Sequence, residues 1–171
     1  IVASLIEELV DVLDNELEIY QQLIPISNEK TQIIVKNDLT ALQEITEKEQ
    51  CMADQIIALE NKRNQVMTNV KIVLNRKSDT LDLKTLIQLL ENQPKEQKTL
   101  SILHDNLKDT IRQLVEINNR NKSLIEQSLE MIEFNINFIQ SARLYQGNNY
   151  TKDAEQYDIK ISGAGMFDTK Q

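Results

Sequence analysis

Leu5, Val12, Ile19, Ile26 and Ile33 recur every seven residues, Leu9 and Leu23 follow the first and third by four, and Ile6, Leu13 and Tyr20 widen the stripe. That spacing predicts one long amphipathic helix with a bundle-type face. Pro25 falls inside the pattern, but the heptad phase survives through Ile33, which predicts a kink rather than an end. Asn37 then suits the C′ position of this helix and Asp38 the N-cap of the next, so a tight αα-hairpin is expected. The second helix carries Ile45, Met52, Leu59, Val66 and Val73 at strict seven-residue spacing, supported by Leu42, Ile56 and Val70, as antiparallel pairing with the first requires.

The run Lys77-Ser78-Asp79-Thr80 reads as a connector. Asp82 caps a short third helix in which Leu83, Leu86, Ile87 and Leu90 share a face, with Leu81 and Leu86 placed as a hydrophobic staple; it is expected to end near Asn92. Pro94 at N1 and Glu96 at N3 open a fourth helix, whose stripe runs through Leu100, Leu103, Leu107, Ile111, Leu114 and Ile117 and onward to about residue 143. At 1.5 Å per residue this helix is on the order of 75 Å long. Residues 146–171 hold no sustained period and read as a flexible tail, leaving residues 1–145 as the helical domain.

Composition narrows the fold class to all-α: an antiparallel helical bundle or coiled-coil hairpin of three long helices and one short one, elongated, with a mobile C-terminal tail. The chain has three Gly and two Pro where ordinary usage gives roughly twenty. All three Gly, at 147, 163 and 165, fall at the end, so hairpin-linked sheets, phosphate loops and dinucleotide folds are excluded from the first 146 residues. With 40% apolar but only 4% aromatic residues and no Trp, the chain is suited to a long aliphatic seam. A net charge of −8 and no Lys/Arg cluster argue against nucleic acid and anionic membranes as partners. No apolar run reaches the ~18 residues of a membrane span, and no basic, then apolar, leader opens the chain. The absence of an initiator Met predicts that a few upstream residues are missing.

Catalytic chemistry finds little footing. The single Cys51 and single His104 lie on different helices, too few for a structural zinc site or a Cys–His nucleophile pair. Cys51, beside the core position Met52, is expected to be a small buried thiol in a reducing compartment. The Asp and Glu residues read as solvated helix surface. His104-Asp105 is similar, over barely one turn, to the phosphoacceptor helix of dimeric histidine kinases, but no nucleotide lid follows, and an ordinary half-exposed histidine is expected. No cofactor, metal or enzymatic activity is expected.

The last third of the fourth helix is unusual. Ile125, Leu129, Ile132, Ile136 and Ile139 form one stripe, while Met131, Phe134, Phe138 and Tyr145 form a second roughly 120–180° away, with Glu126, Glu130, Glu133, Asn137 and Gln140 in a polar sector between them. One stripe is expected to dock on the bundle. The second then covers core, closes a homodimer, or takes up another chain's helix, for which its Met and Phe content is suited.

The stretch from Leu114 through Arg120-Asn121-Lys122-Ser123-Leu124 to Met131-Ile132 resembles the signature helix of FlgN-type flagellar export chaperones. So do Leu5-Ile6-Glu7-Glu8-Leu9 and the Lys36-Asn37-Asp38-Leu39 hairpin leading to Thr46-Glu47-Lys48-Glu49-Gln50; Leu144-Tyr145-Gln146-Gly147 resembles that family's Tyr-Gly step, with Gln146 interposed. The resemblance implies a non-enzymatic bacterial cytoplasmic chaperone of type III flagellar export. Such a chaperone binds the C-terminal segments of the hook-filament junction proteins FlgK and FlgL, prevents their premature assembly and delivers them to the export gate. It places cargo binding on the helix from Asn118 to Ile139, at Asn121, Leu124, Ile125, Ser128, Leu129, Met131, Ile132, Phe134, Ile136 and Phe138, and gate contact at Tyr145. The alternatives are a structural coiled-coil homodimerisation module and a His phosphotransfer bundle.

Overall fold

The computed structural model describes residues 1–76 and 81–149, with side chains through Leu144. Among the described residues there are four α-helices and no strand: α1 (Val2–Val35), α2 (Leu39–Val73), α3 (Leu83–Leu89) and α4 (Pro94–Asn149). This is the all-α arrangement of three long helices and one short one that the periodicity predicts. The connector at 77–80 and the tail from residue 150 lie outside the described residues. The chain divides after Ser128 into two units.

In the first unit, α1 continues through Pro25 to Val35. It ends in a Schellman motif: the Asp38 N–H donates to the Ile33 carbonyl at 3.3 Å and the Asn37 N–H to that of Ile34 at 3.0 Å. Asn37 holds φ at 55°, the left-handed corner that a chain poor in Gly must give to Asn. Asp38 caps α2, its carboxylate accepting the Ala41 N–H at 3.0 Å. The far end of α2 repeats the device, with Asn75 at φ 54° and the Arg76 N–H reaching the Lys71 carbonyl at 3.2 Å.

Ion pairs span the antiparallel hairpin. Lys62 meets Glu8, Arg63 meets Glu16 at 2.7 Å and Lys30 meets Glu49 at 2.5 Å, so residues early in α1 lie against residues late in α2. The core at this end joins all four helices: Ile6, Leu9, Leu13 and Leu17 of α1, Val66 and Val70 of α2, Leu86 and Leu90 at α3, and Leu100, Leu103 and Leu107 of α4. Asp82 caps α3 by accepting the Thr85 N–H at 2.7 Å, and the fully buried Leu86 seals the bundle base, a burial worth about 2 kcal/mol. Farther along, Leu23, Ile56 and Leu114 form a second cluster. The order of contacts shows α4 running parallel to α1 and antiparallel to α2.

Several expected positions shift. The most deeply buried line of α1 is Ile6, Leu9, Leu13 and Glu16, while Leu5 and Ile19 are only partly buried, because α1 is flanked on both sides and needs a broad face. Thr110 is buried and Ile111 exposed, so the α4 stripe passes from Leu107 to Leu114 one residue earlier than expected. Val73 is exposed because it stands one turn beyond Val70, at the level where α1 begins. Helix α3 stops at Leu89 rather than near Asn92, and α4 extends to Asn149 rather than to about residue 143.

Candidate functional site

The expected site residues fall into two groups. Asn121, Leu124, Ile125 and Ser128 belong to the first unit; Leu129, Met131, Ile132, Phe134, Ile136 and Phe138 belong to the second. Tyr145 lies on α4, but its side chain is outside the described residues.

In the first unit Asn121 is buried, with its amide committed within the bundle. Its Nδ2 donates to the Ser27 carbonyl at 2.8 Å, and its Oδ1 accepts the Thr31 hydroxyl at 2.5 Å. Ser27 in turn donates to Glu49 at 3.1 Å, beside Lys30. A polar layer thus ties α1, α2 and α4 about two turns from the hairpin tip, and Asn121 acts there as a structural tie. A groove of about 500 Å³ opens over this layer, with Leu23, Ala53, Leu114 and Ile125 as its apolar part and Lys122 and Glu126 among its polar residues. Leu124, Ile125 and Ser128 are half-buried.

In the second unit, every residue from Leu129 to Leu144 is exposed. Phe134 is 68% exposed, Met131 67% and Phe138 66%, and Ile132, Ile136 and Ile139 are each about half exposed. From Leu129 to Leu144 neither stripe is covered, whereas Ile125, the first member of the isoleucine stripe, is half-buried. The stripes also lie closer than the Glu sector suggests. Measured from Asn135 at 100° per residue, Met131 and Phe138 stand about 40–60° to one side and Ile132 and Ile139 about 40–60° to the other. They flank a shallow trough of Asn135 and Ala142, while Glu130 and Glu133 occupy the opposite side.

His104 is half-exposed, with Nδ1 3.1 Å from Asp105 Oδ1. Cys51 is exposed, a correction to the buried thiol expected beside Met52: one residue along a helix turns a side chain 100° out of the seam. Glu16 corrects the reading of acidic residues as solvated surface. Fully buried at a core position of α1, it meets Arg63 with one oxygen, and its Oε1 has no partner. Burial raises its pKa above the ordinary carboxylate value; Arg63 opposes the shift and Glu60 adds to it. Its heptad position was the available signal, a carboxylate where Leu9, Leu13 and Leu23 call for an aliphatic side chain.

Among the described residues no group of three His, Cys, Asp or Glu could hold a metal ion, and no helix is long and apolar enough to cross a membrane. No curated protein and no solved structure matches the chain. The family model described as "FlgN protein" matches residues 5–158, from the first core turn of α1 through the whole of α4. A helical chain matched over that length, with a long last helix that carries an uncovered apolar face, belongs to the FlgN family of flagellar export chaperones.

Proposed function

We propose that this chain is a cytoplasmic chaperone of the flagellar type III export system, and that it binds the C-terminal segments of the hook-filament junction proteins FlgK and FlgL. The observation that carries this reading is the exposure of every side chain from Leu129 to Leu144, large apolar ones included. An apolar surface of this kind is usually a place where another chain docks. Assembly subunits end in amphipathic segments that self-associate when free; a helix with a spare apolar face sequesters such a segment by coupled folding and binding. No nucleotide is needed for release. Ordering the segment costs several kcal/mol, which keeps affinity moderate and lets the export gate compete. Tyr145, near the end of α4, is assigned to gate contact while the helix still holds cargo.

Leu129, Met131, Ile132, Phe134, Ile136 and Phe138 are the proposed contacts, with Leu124, Ile125 and Ser128 preceding them on the same helix. Asn121 is left out, since its amide is already taken. The test is calorimetry of the full chain with C-terminal peptides of the junction proteins from the same organism. Micromolar or tighter one-to-one binding is expected. Two phenylalanines, each two-thirds exposed, contribute about 3 kcal/mol together, so Phe134→Asp plus Phe138→Asp weakens binding ~100-fold or more. A folded, helical chain that binds neither peptide overturns the reading.

A further inference from the structure

We propose that the groove over the polar layer of α1, α2 and α4 receives a polypeptide C terminus: the free carboxylate of the bound cargo segment meets Lys30 and Lys122, and the apolar side chain beside it enters the groove floor. This end site rests on the cargo reading above, and adds to it the atoms by which the segment is recognised.

The Lys30 side chain is only 17% exposed, yet of the three N–H donors on its ammonium only one is spent, on Glu49. Glu49 is itself shared, because its other oxygen accepts the Ser27 hydroxyl at 3.1 Å. Two donors of a largely buried cation are thus left for an acceptor that enters the groove, which Lys30 lines. A withdrawn ammonium with spare donors favours an anionic acceptor over a neutral one. Across the groove, α4 contributes Asn118, Lys122 and Glu126. Measured round α4 from the buried Asn121 at 100° per residue, Ile125, Asn118, Lys122 and Glu126 stand about 40°, 60°, 100° and 140° away. The Lys122 ammonium is therefore carried nearer the floor than the Glu126 carboxylate, and Lys122 has no ion-pair partner among the described residues.

The floor selects what accompanies the carboxylate. Leu23, Ala53, Leu114 and Ile125 form it, and the small side chains of Ser27 and Ala53 leave the space between the helices open. At about 500 Å³ the groove has the size of a cleft for one small ligand. A chain end brings an apolar side chain and a carboxylate on a single residue. An internal Asp or Glu brings the charge alone, and a turn in the middle of a helix brings backbone groups that are already paired. Lys122 is exposed, so its share is small; Lys30, withdrawn from water, supplies most of the preference for a free carboxylate.

The test is calorimetry of the full chain with the same junction-protein peptides made in two forms, one ending in a free carboxylate and one in a C-terminal amide. The free acid is expected to bind ~10-fold more tightly than the amide. Glu49→Gln keeps an acceptor for Lys30 and Ser27 but removes the competing charge, so it tightens the free acid ~5-fold and leaves the amide unchanged. A Glu49 that only held the bundle together would move both peptides alike. Ala53→Leu fills the floor and, at unchanged helicity, erases the preference for the free acid; Lys122→Gln narrows it ~3-fold. Equal affinities for acid and amide overturn the end site and leave the cargo reading standing. A preference for the acid that Ala53→Leu and Glu49→Gln both leave untouched puts the carboxylate elsewhere and also overturns the site. Binding of neither peptide overturns the cargo reading, and the end site with it.

Discussion

Glu16 and Arg63 give the sharpest test of how the bundle is held together. Glu16 is fully buried, Arg63 Nη1 lies 2.7 Å from its Oε2, and its second oxygen has no partner. Removing one member of such a pair strands the other, at about 3–5 kcal/mol; Arg63 is about one-third exposed, so water offsets part of this and Arg63→Met is expected to cost about 3 kcal/mol at pH 7. Glu16→Leu removes the desolvated charge instead, frees Arg63 to turn to solvent, and is expected to leave stability unchanged or raise it by up to a few kcal/mol. The pH dependence has a definite sign. The folded-state pKa of Glu16 lies above its ordinary 4.5, so the folded chain holds this proton more tightly, and the group's contribution to stability falls as pH rises from 4.5 through the raised value. The advantage of Glu16→Leu over the parent is therefore largest at pH 7 and narrows on acidification. Arg63→Met likewise recovers part of its loss at pH 5. Urea unfolding followed by circular dichroism at both pH values reads these changes, and 3 kcal/mol moves the midpoint by roughly 2 M. A cost below about 1 kcal/mol for Arg63→Met, or equal costs for the two variants, would refute the buried-pair argument.

Three further outcomes are expected. Asn121→Leu loses the tie to Ser27 and Thr31 and costs about 1–2 kcal/mol in thermal unfolding, while peptide affinity stays within two-fold; a large loss of affinity at full helicity would return Asn121 to the cargo surface. Cys51 in the native chain reacts with a thiol reagent at nearly the rate of the unfolded chain, and strong protection would show the thiol to be buried after all. Removal of residues 144–171 leaves peptide binding intact but reduces export of the junction proteins in cells, and undiminished export would remove the tail from the delivery step.

Much of the fold was legible because it is written in local signals. The heptad run that survives Pro25, the Asn37-Asp38 corner, the Asp82 cap and the Pro94 start each combine a residue type with a position that few alternatives tolerate. The second left-handed corner at Asn75 uses the same chemistry as Asn37. It was not legible because the hydrophobic period fades after Val73 and Asn75 merges with the polar run that follows it. Positions one residue off the seam were misplaced for a geometric reason. A heptad pattern fixes the axis of a stripe to within about half a residue, and a 100° step then decides between buried and exposed, as at Cys51, Thr110 and Ile111. Glu16 and Asn121 stood at core positions in plain view, but their burial depends on partners 47 and 94 residues away, Arg63 and Ser27, which periodicity does not reveal. The distal face of α4 was legible as two stripes, whereas its full exposure is a tertiary fact that periodicity does not carry.

That α4 is continuous from the core past Ser128 has a kinetic meaning. An isolated segment of sixteen residues with no packed face is a marginal helix, because its first turn must be formed at an unfavourable nucleation step. Here that step is already taken inside the bundle, where Leu100, Leu103 and Leu107 are packed. Each residue beyond Ser128 need only propagate, one hydrogen bond for one residue fixed. Amide exchange is therefore expected to quicken gradually from Ser128 toward Leu144 rather than in one step, with an incoming chain meeting a template whose order declines with distance from the bundle. Packing of α4 within the four-helix core thus sets how far along the helix that template reaches.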